Sequence, residues 1–180
     1  MKLLKRSSVQ NNKIHIAQQK SIYDAYVDRM YALCFRYLKN KEDAEECVTN
    51  GFLKIFQHQQ NFEDRGEGSL ERWMRTIMIN ECLMHLRKRK VFCDLDEKQE
   101  IQIEKQTTDH NIHYQEIYDL VMNLPPGYRT VFCLYHIEGY SHKEIAVKCG
   151  ISENTSKSQL SKARNQLQQQ LKQQEVVYEF

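Results

Sequence analysis

The sequence predicts an all-α fold, two small helical domains joined by an acidic linker, and three observations predict it. Backbone breakers are scarce: six glycines and two prolines among 180 residues, about 4% where average usage is roughly 12%. The prolines are the adjacent Pro125 and Pro126, and a sandwich, barrel or propeller needs a glycine- or proline-type turn about every 8–12 residues. Apolar residues recur at spacings of three and four through one stretch after another, the period of helices with one buried face. Between two groups of such stretches lies a segment with no apolar period. A structureless loop of that length is unusual inside one compact domain and suits a linker.

The expected organisation is an N-terminal tail over 1–12, a first domain over 13–91, the acidic linker over 92–112, a second domain over 113–174, and a C-terminal tail over 175–180. The hydrophobic fraction of 41% and mean hydropathy of −0.72 suit soluble amphipathic helices. No apolar run approaches the ~18 residues of a membrane span, and the basic N-terminus lacks the apolar core of a signal peptide. A cytoplasmic protein without membrane insertion is expected. Six cysteines without a CxxC pair read as reduced core thiols. The net charge is only +2, so a nucleic-acid surface must come from segregation of charge.

The first helix is expected from Lys13 to Leu38, with Ile22, Tyr26, Met30 and Leu33 inward and Tyr23, Val27, Cys34 and Tyr37/Leu38 widening that face. Asn40 offers an N-cap to a second helix reaching about Gln59, whose first turn is loaded with Glu42, Asp43, Glu45 and Glu46. Ala44, Cys47, Val48, Phe52, Ile55 and Phe56 form its apolar side. Gly51 interrupts it at a cost of up to ~1 kcal/mol against alanine, which close approach of another helix explains.

After a loop over Asn61–Gly68, Ser69 is expected to cap a third helix, Leu70 to Lys90. Leu70, Trp73, Met74, Ile77, Met78, Leu83 and Leu86 are its apolar positions, and it ends in the basic run Arg87-Lys88-Arg89-Lys90. Charge then reverses: from Val91 to Ile112 six acids stand against two lysines, a net of −4.

The second domain opens with a helix carrying Tyr114, Ile117, Leu120, Val121 and Leu124, ended by Pro125-Pro126-Gly127. Tyr128–Ile137 is read as helical, with Val131, Leu134 and Tyr135 inward. Ser141 and Glu144 form a capping box for a short helix to Cys149. Gly150-Ile151-Ser152 turns the chain, and a last helix runs from Glu153 to Gln174 with Leu160, Ala163, Leu167 and Leu171 inward.

Residues 140–160 have the spacing of a helix-turn-helix. Ala146 is small where the second helix crosses the first, Gly150 supplies the left-handed turn residue, and Ile145, Ile151 and Leu160 fill the space between. The second helix would enter the major groove by its N-terminal half. Asn154, Thr155, Lys157, Ser158, Ser161, Lys162 and Arg164 are the candidate DNA-reading residues.

At this point the chain resembles, over about residues 15–172, the extracytoplasmic-function (ECF) group of bacterial RNA polymerase sigma factors in the sigma-70 family. The carriers in the first domain are Asp43-Ala44-Glu45-Glu46, Phe52-Leu53-Lys54-Ile55-Phe56, Trp73, Ile77, Asn80 and Leu86-Arg87-Lys88. In the second they are Leu124-Pro125, Arg129, Val131-Phe132, Glu144-Ile145-Ala146, Gly150-Ile151-Ser152 and Ala163-Arg164. The resemblance implies a factor that binds core RNA polymerase and directs it to promoter DNA, with no catalytic residue, cofactor or metal. The first domain would read and open the −10 element, and the second would read the −35 element.

It also implies sites. The −10 strand would meet the third helix and the loop before it, through Asn61, Phe62, Arg65, Arg72, Arg75, Asn80, Arg87 and Lys88, since exposed bases need pockets and phosphates need cations. Trp73 would stack on a base or, more plainly, serve as core. Core polymerase would dock on Asp43, Glu46, Thr49, Asn50 and Leu53. The linker would thread toward the RNA exit path; its ~22 residues reach roughly 75 Å. An anti-sigma protein is a further partner that the resemblance allows.

Departures from the family pattern are Ser156 in place of valine, Met84 in place of aspartate, Glu81 at an apolar position, and Gln159 and Ser161 where larger or basic side chains are common. Two other readings compete. A helix-turn-helix regulator that is not a sigma factor shares the second domain's pattern but leaves the Trp73–Arg87 helix unexplained. A metal site would use Cys82 with His85 and Cys133 with His136, each pair one helical turn apart, but the pairs fall in different domains.

Overall fold

The computed structural model describes the backbone of residues 2–89, 91 and 112–177, and the side chains of 17–89, 91 and 117–172. The acidic linker, 92–112, therefore lies outside the described residues except for Ile112. Among the described residues the chain is helical throughout: α1 (Lys2–Leu38), α2 (Lys41–Gln57), a 3₁₀ turn (Gln59–Asn61), α3 (Ser69–Lys88), α4 (Ile112–Met122), α5 (Pro126–Phe132) continued by a π-type turn (Cys133–Ile137), α6 (His142–Cys149) and α7 (Glu153–Val177). Two compact units form. One comprises 1–35 and 40–82, and the other comprises 36–39 and 83–180.

In the first unit α1, α2 and α3 share one core of Met30, Leu33, Cys34, Ala44, Cys47, Val48, Phe52, Ile55, Met74, Met78, Ile79 and Cys82, all buried. Asn40 caps α2 as expected, its Oδ1 accepting the amide of Asp43 at 2.8 Å. Gly51 is buried, and a methyl group on it would collide with the side chain of Met78 on α3. That contact is why the helix tolerates a glycine there: two helices meet with no room for a Cβ.

In the second unit Leu120, Val121, Leu124, Val131, Leu134, Ile145, Leu160 and Ala163 are buried between α4, α5, α6 and α7. Arg129 is buried with them and donates to the carbonyls of Met122 at 3.3 Å and Leu124 at 3.0 Å. The guanidinium thus satisfies carbonyls left without helical partners at the end of α4. Pro126 opens α5, where its missing N–H costs nothing.

Several expectations are corrected. Helix α1 begins at Lys2 rather than near Lys13, and α7 reaches Val177, so parts of both expected tails are helical. Helix α2 ends at Gln57, short of Gln59. Ser69 is the first residue of α3 rather than its cap, because its hydroxyl is taken by the preceding loop. Tyr23 and Leu171 are exposed and Tyr135 only half-buried, since each lies at the edge of its helix's apolar face.

Candidate nucleic-acid interface

The helix-turn-helix takes the geometry its residues demand. The Ser141 hydroxyl accepts the Glu144 amide at 3.3 Å, and the Glu144 carboxylate accepts the Ser141 amide at 2.9 Å, completing the capping box. The Ser141 hydroxyl, 2.7 Å from the Glu144 carboxylate and donating to it, and then the Ser141 amide hold that carboxyl below its usual range. Gly150 ends α6 at φ +71°, the left-handed conformation open to glycine. Ser152 immediately precedes α7, its hydroxyl accepting the amide of Thr155 at 3.0 Å.

At 100° per residue, α7 presents Ser156, Gln159, Leu160 and Ala163 to one side, and all four are buried. Asn154, Lys157, Ser158, Ser161, Lys162 and Arg164 fall on the opposite side and are exposed. These are the candidates named from sequence, so one polar, basic face is assembled. Thr155 sits at its edge, half-buried, its hydroxyl 2.8 Å from that of Ser152. Ser158 donates to the Thr155 carbonyl at 3.0 Å.

The cations on this face have local partners. Lys157 pairs with Glu153 at 2.7 Å. Lys162 lies over the Tyr128 ring, 5.9 Å from its centroid. Arg164 reaches Nε2 of His136 at 3.1 Å and lies over the ring of Tyr135. Burial, then the Arg164 charge, keeps the His136 pKa below 6.5. His142 stacks on Tyr135 with centroids 4.8 Å apart, and its Nδ1 stands 2.9 Å from the hydroxyl of buried Ser156. Ser156, the departure from valine, thus bonds across to α6. The roles of His136, His142 and Tyr135 beside this face escaped the sequence reading because they depend on contacts between helices.

In the first unit the loop before α3 is organised by a residue the sequence reading passed over. The Asp64 carboxylate accepts the Ser69 hydroxyl at 2.8 Å and the Gly66 amide at 3.0 Å. These bonds lower its pKa, and Gly66 and Gly68 have positive φ, which suits glycine. Asn61 and Arg65 are exposed; Arg65 pairs with Glu63 at 3.1 Å. Phe62 leans on Trp73, centroids 5.3 Å apart, beside an apolar recess lined by Ile22, Ile55, Phe56 and Leu70. Trp73 is therefore packed as part of the core edge. Along α3, Arg72, Asn80, Arg87 and Lys88 are exposed and Arg75 half-buried. Arg72 and Arg75, three residues apart, are neighbours on the helix surface, and Asn80 lies about 140° around the helix from Arg75.

The candidate docking residues also share a face. Asp43, Glu46, Thr49, Asn50 and Leu53 project from α2 opposite its buried side, and Leu53 is 54% exposed. The Thr49 hydroxyl is occupied, donating to the Glu45 carbonyl at 2.8 Å. Behind this face, Lys54 reaches the buried Glu81 carboxylate at 2.6 Å, which accounts for an acid at an apolar position. Among the described residues no group of three or more His, Cys, Asp or Glu is placed to hold a metal ion, and no helix is long and apolar enough to cross a membrane.

Comparison with known proteins gives two family matches in chain order: sigma-70 region 2 over residues 22–91 and sigma-70 region 4 over residues 114–167. The ECF RNA polymerase sigma factor SigE of Mycolicibacterium smegmatis is 27% identical over 153 residues, covering 81% of this chain and 58% of SigE. The ECF RNA polymerase sigma factor SigW of Bacillus subtilis is 26% identical over 165 residues, covering 84% of this chain and 87% of SigW. A solved structure, the sigma factor RpoE in complex with the anti-sigma factor NepR from Bartonella quintana, matches with a TM-score of 0.53 at 26% identity, covering 85% of this chain and 96% of that one.

Proposed function

Because the chain belongs to the sigma-70 family, in its ECF group, we infer that it binds core RNA polymerase and directs transcription initiation at promoters carrying −10 and −35 elements. The observation that carries this reading is the pairing of two family regions in order, each holding a polar face opposite a packed core. A helix-turn-helix regulator without polymerase is not favoured, because region 2 would then have no use.

The chemistry is binding rather than catalysis, carried out in the bacterial cytoplasm. The α7 face fits a major groove: Lys157 and Lys162 supply charge to phosphates, and Asn154, Ser161 and Arg164 reach toward base edges. On α3, Arg72, Arg75, Arg87 and Lys88 hold the phosphates of a separated strand, and Asn80, with Asn61, Phe62 and Arg65 of the loop before it, meets its bases. The α2 face, acidic around an exposed leucine, is the docking surface for core polymerase. An anti-sigma protein is a fitting antagonist, because it would need only to cover these faces.

Transcription reconstituted from core polymerase and this protein tests the reading. Initiation at discrete promoters in a genomic library is expected, and its complete absence would overturn the reading. Lys157→Ala and Lys162→Ala should each weaken −35 binding and, as lost phosphate contacts, lower the salt slope by about 0.9. Polymerase binding should be unchanged.

A further inference from the structure

His136 stands beside the α7 face without belonging to it. It lies on the π-type turn that continues α5, and such turns are frequent at functional sites. Its ring packs against Phe132 and Tyr135, with centroids 4.8 Å and 5.1 Å away. From there its Nε2 meets Arg164, 3.3 Å from Nε and 3.1 Å from Nη2. Both residues are exposed. We propose that neutral His136 is a positioning residue for DNA reading: its Nε2 lone pair aims the Arg164 guanidinium at one base pair, and protonation of the imidazole releases the arginine and relaxes specificity there. The proposal rests on the reading of α7 as the helix that enters the groove.

The chemistry of the contact assigns the tautomer. Arginine has donors and no acceptor, so both guanidinium nitrogens donate to Nε2, and the imidazole proton sits on Nδ1. Nε and Nη2 each commit one N–H to that lone pair. Nη1 and the second N–H of Nη2 stay free for O6 and N7 of a guanine, the commonest base-specific contact of arginine. The Tyr135 ring gives the group a second contact, its centroid 5.8 Å from the guanidinium carbon.

Protonation reverses this. An imidazolium carries an N–H at both nitrogens and offers no lone pair to a donor. It also places a second positive charge 3.1 Å from Nη2. The groups around the pair come from three elements. Tyr135 lies on the turn itself, His142 of α6 stacks on that ring at 4.8 Å, and Lys157, Glu153 and Arg164 of α7 face His142. Burial, then the Arg164 charge, keeps His136 below 6.5. The lone pair is therefore free at neutral pH, and the arginine is let go only on acidification. The same step adds a positive charge beside the face, so phosphate binding is not weakened. Matched and mismatched DNA thus converge in affinity, whereas loss of the fold would weaken both alike.

The experiment uses the full chain and the holoenzyme it forms with core polymerase. Imidazole nitrogen NMR of the full chain gives the His136 tautomer and midpoint. The holoenzyme selects a −35 duplex from a random pool at neutral pH, and the base pair that Arg164 reads is the one whose discrimination is lost in Arg164→Ala. Discrimination there is then measured above and below the His136 midpoint. An Nδ1–H tautomer at neutral pH, a midpoint that rises in Arg164→Ala, and about a tenfold fall in discrimination on protonation are expected. His136→Gln, whose amide oxygen accepts but does not titrate, should keep the discrimination on both sides of the midpoint, and His136→Ala should lack it on both. An Nε2–H tautomer, a native ratio constant through the midpoint, or glutamine behaving like alanine would overturn the proposal. An Arg164→Ala holoenzyme that discriminates like the native one at every base pair would overturn the groove reading on which the proposal stands. An Arg164-dependent base pair left unchanged by His136→Ala would overturn the proposal alone.

Discussion

Replacing Lys54 by methionine should destabilise the first unit by about 2 kcal/mol, a magnitude that follows from an asymmetric ion pair. Glu81 has a side chain only 6% exposed, whereas Lys54 is 43% exposed, and they meet at 2.6 Å. Removing one partner of a fully buried pair costs about 3–5 kcal/mol, and an exposed pair is worth about 0.2–1 kcal/mol. With one end buried and the other wet, Lys54→Met falls between, at about 2 kcal/mol, because a buried carboxylate loses its cation. Lys54→Met/Glu81→Leu, which removes both charges, should restore stability to within about 1 kcal/mol of the native chain. Trp73 is the sole tryptophan and lies in this unit, so its fluorescence during thermal unfolding reports this unit directly. For a unit of this size, 2 kcal/mol corresponds to a fall of roughly 8–16 °C in Tm. A shift below about 2 °C, or a double mutant as unstable as the sum of the two single changes, would refute the reasoning.

Gln159 is 1% exposed and neither amide atom has a hydrogen-bond partner among the described residues. Gln159→Met, similar in length without the amide, should stabilise the second unit by about 1–2 kcal/mol, read as slower hydrogen exchange in α6 and α7; faster exchange would show that the amide is satisfied. Asp64→Ala should loosen the loop before α3 and weaken binding of a single-stranded −10 sequence about tenfold, while Trp73 fluorescence shows little change in unfolding. Because the folded Asp64 pKa is lowered from 3.8, its contribution is complete above that value and is lost as pH falls through the lower folded value. His136 and His142 are also held below 6.5, first by burial, then by Arg164 and Lys157 respectively. The contribution of these two imidazoles to the stability of the second unit should be complete above pH 6.5 and be lost as pH falls from there through the folded values. Proton NMR of the imidazole resonances should place both midpoints under 6.5.

Helix positions and faces were legible because each depends on a period and a cap. Asn40, the Ser141–Glu144 box and Gly150 act within a few residues of themselves, so their spacing alone carried them. What lay hidden acts between helices. Nothing near Gly51 in the chain points to Met78, and nothing near Glu81 points to Lys54. The acid read as an anomaly at an apolar position until its partner, 27 residues away, was placed beside it. Asp64 was hidden for another reason: an acid in a loop rich in charge looks solvated, and only the fold of the loop turns its carboxylate onto Ser69 and Gly66.

The same distinction bears on how the α7 face would read DNA under the proposed function. Short hydroxyl side chains compete for nearby backbone groups, and here they do: Thr155 is held by the Ser152 cap, and Ser158 by the Thr155 carbonyl. Thr49 on the proposed docking face is likewise turned back on its own helix. A list drawn from residue type counts these as contacts, whereas the structure leaves Asn154, Ser161 and the three cations as the groups that project. Each cation is oriented by a weak local partner, Glu153, Tyr128, or His136 with Tyr135. An exposed i, i+4 pair such as Glu153–Lys157 is worth only about 0.3–0.5 kcal/mol, less than a charge-assisted bond to phosphate returns. Binding to DNA under the proposed function would therefore exchange such partners at small cost. They hold the side chains outward beforehand, so less rotamer entropy is lost when the groove arrives.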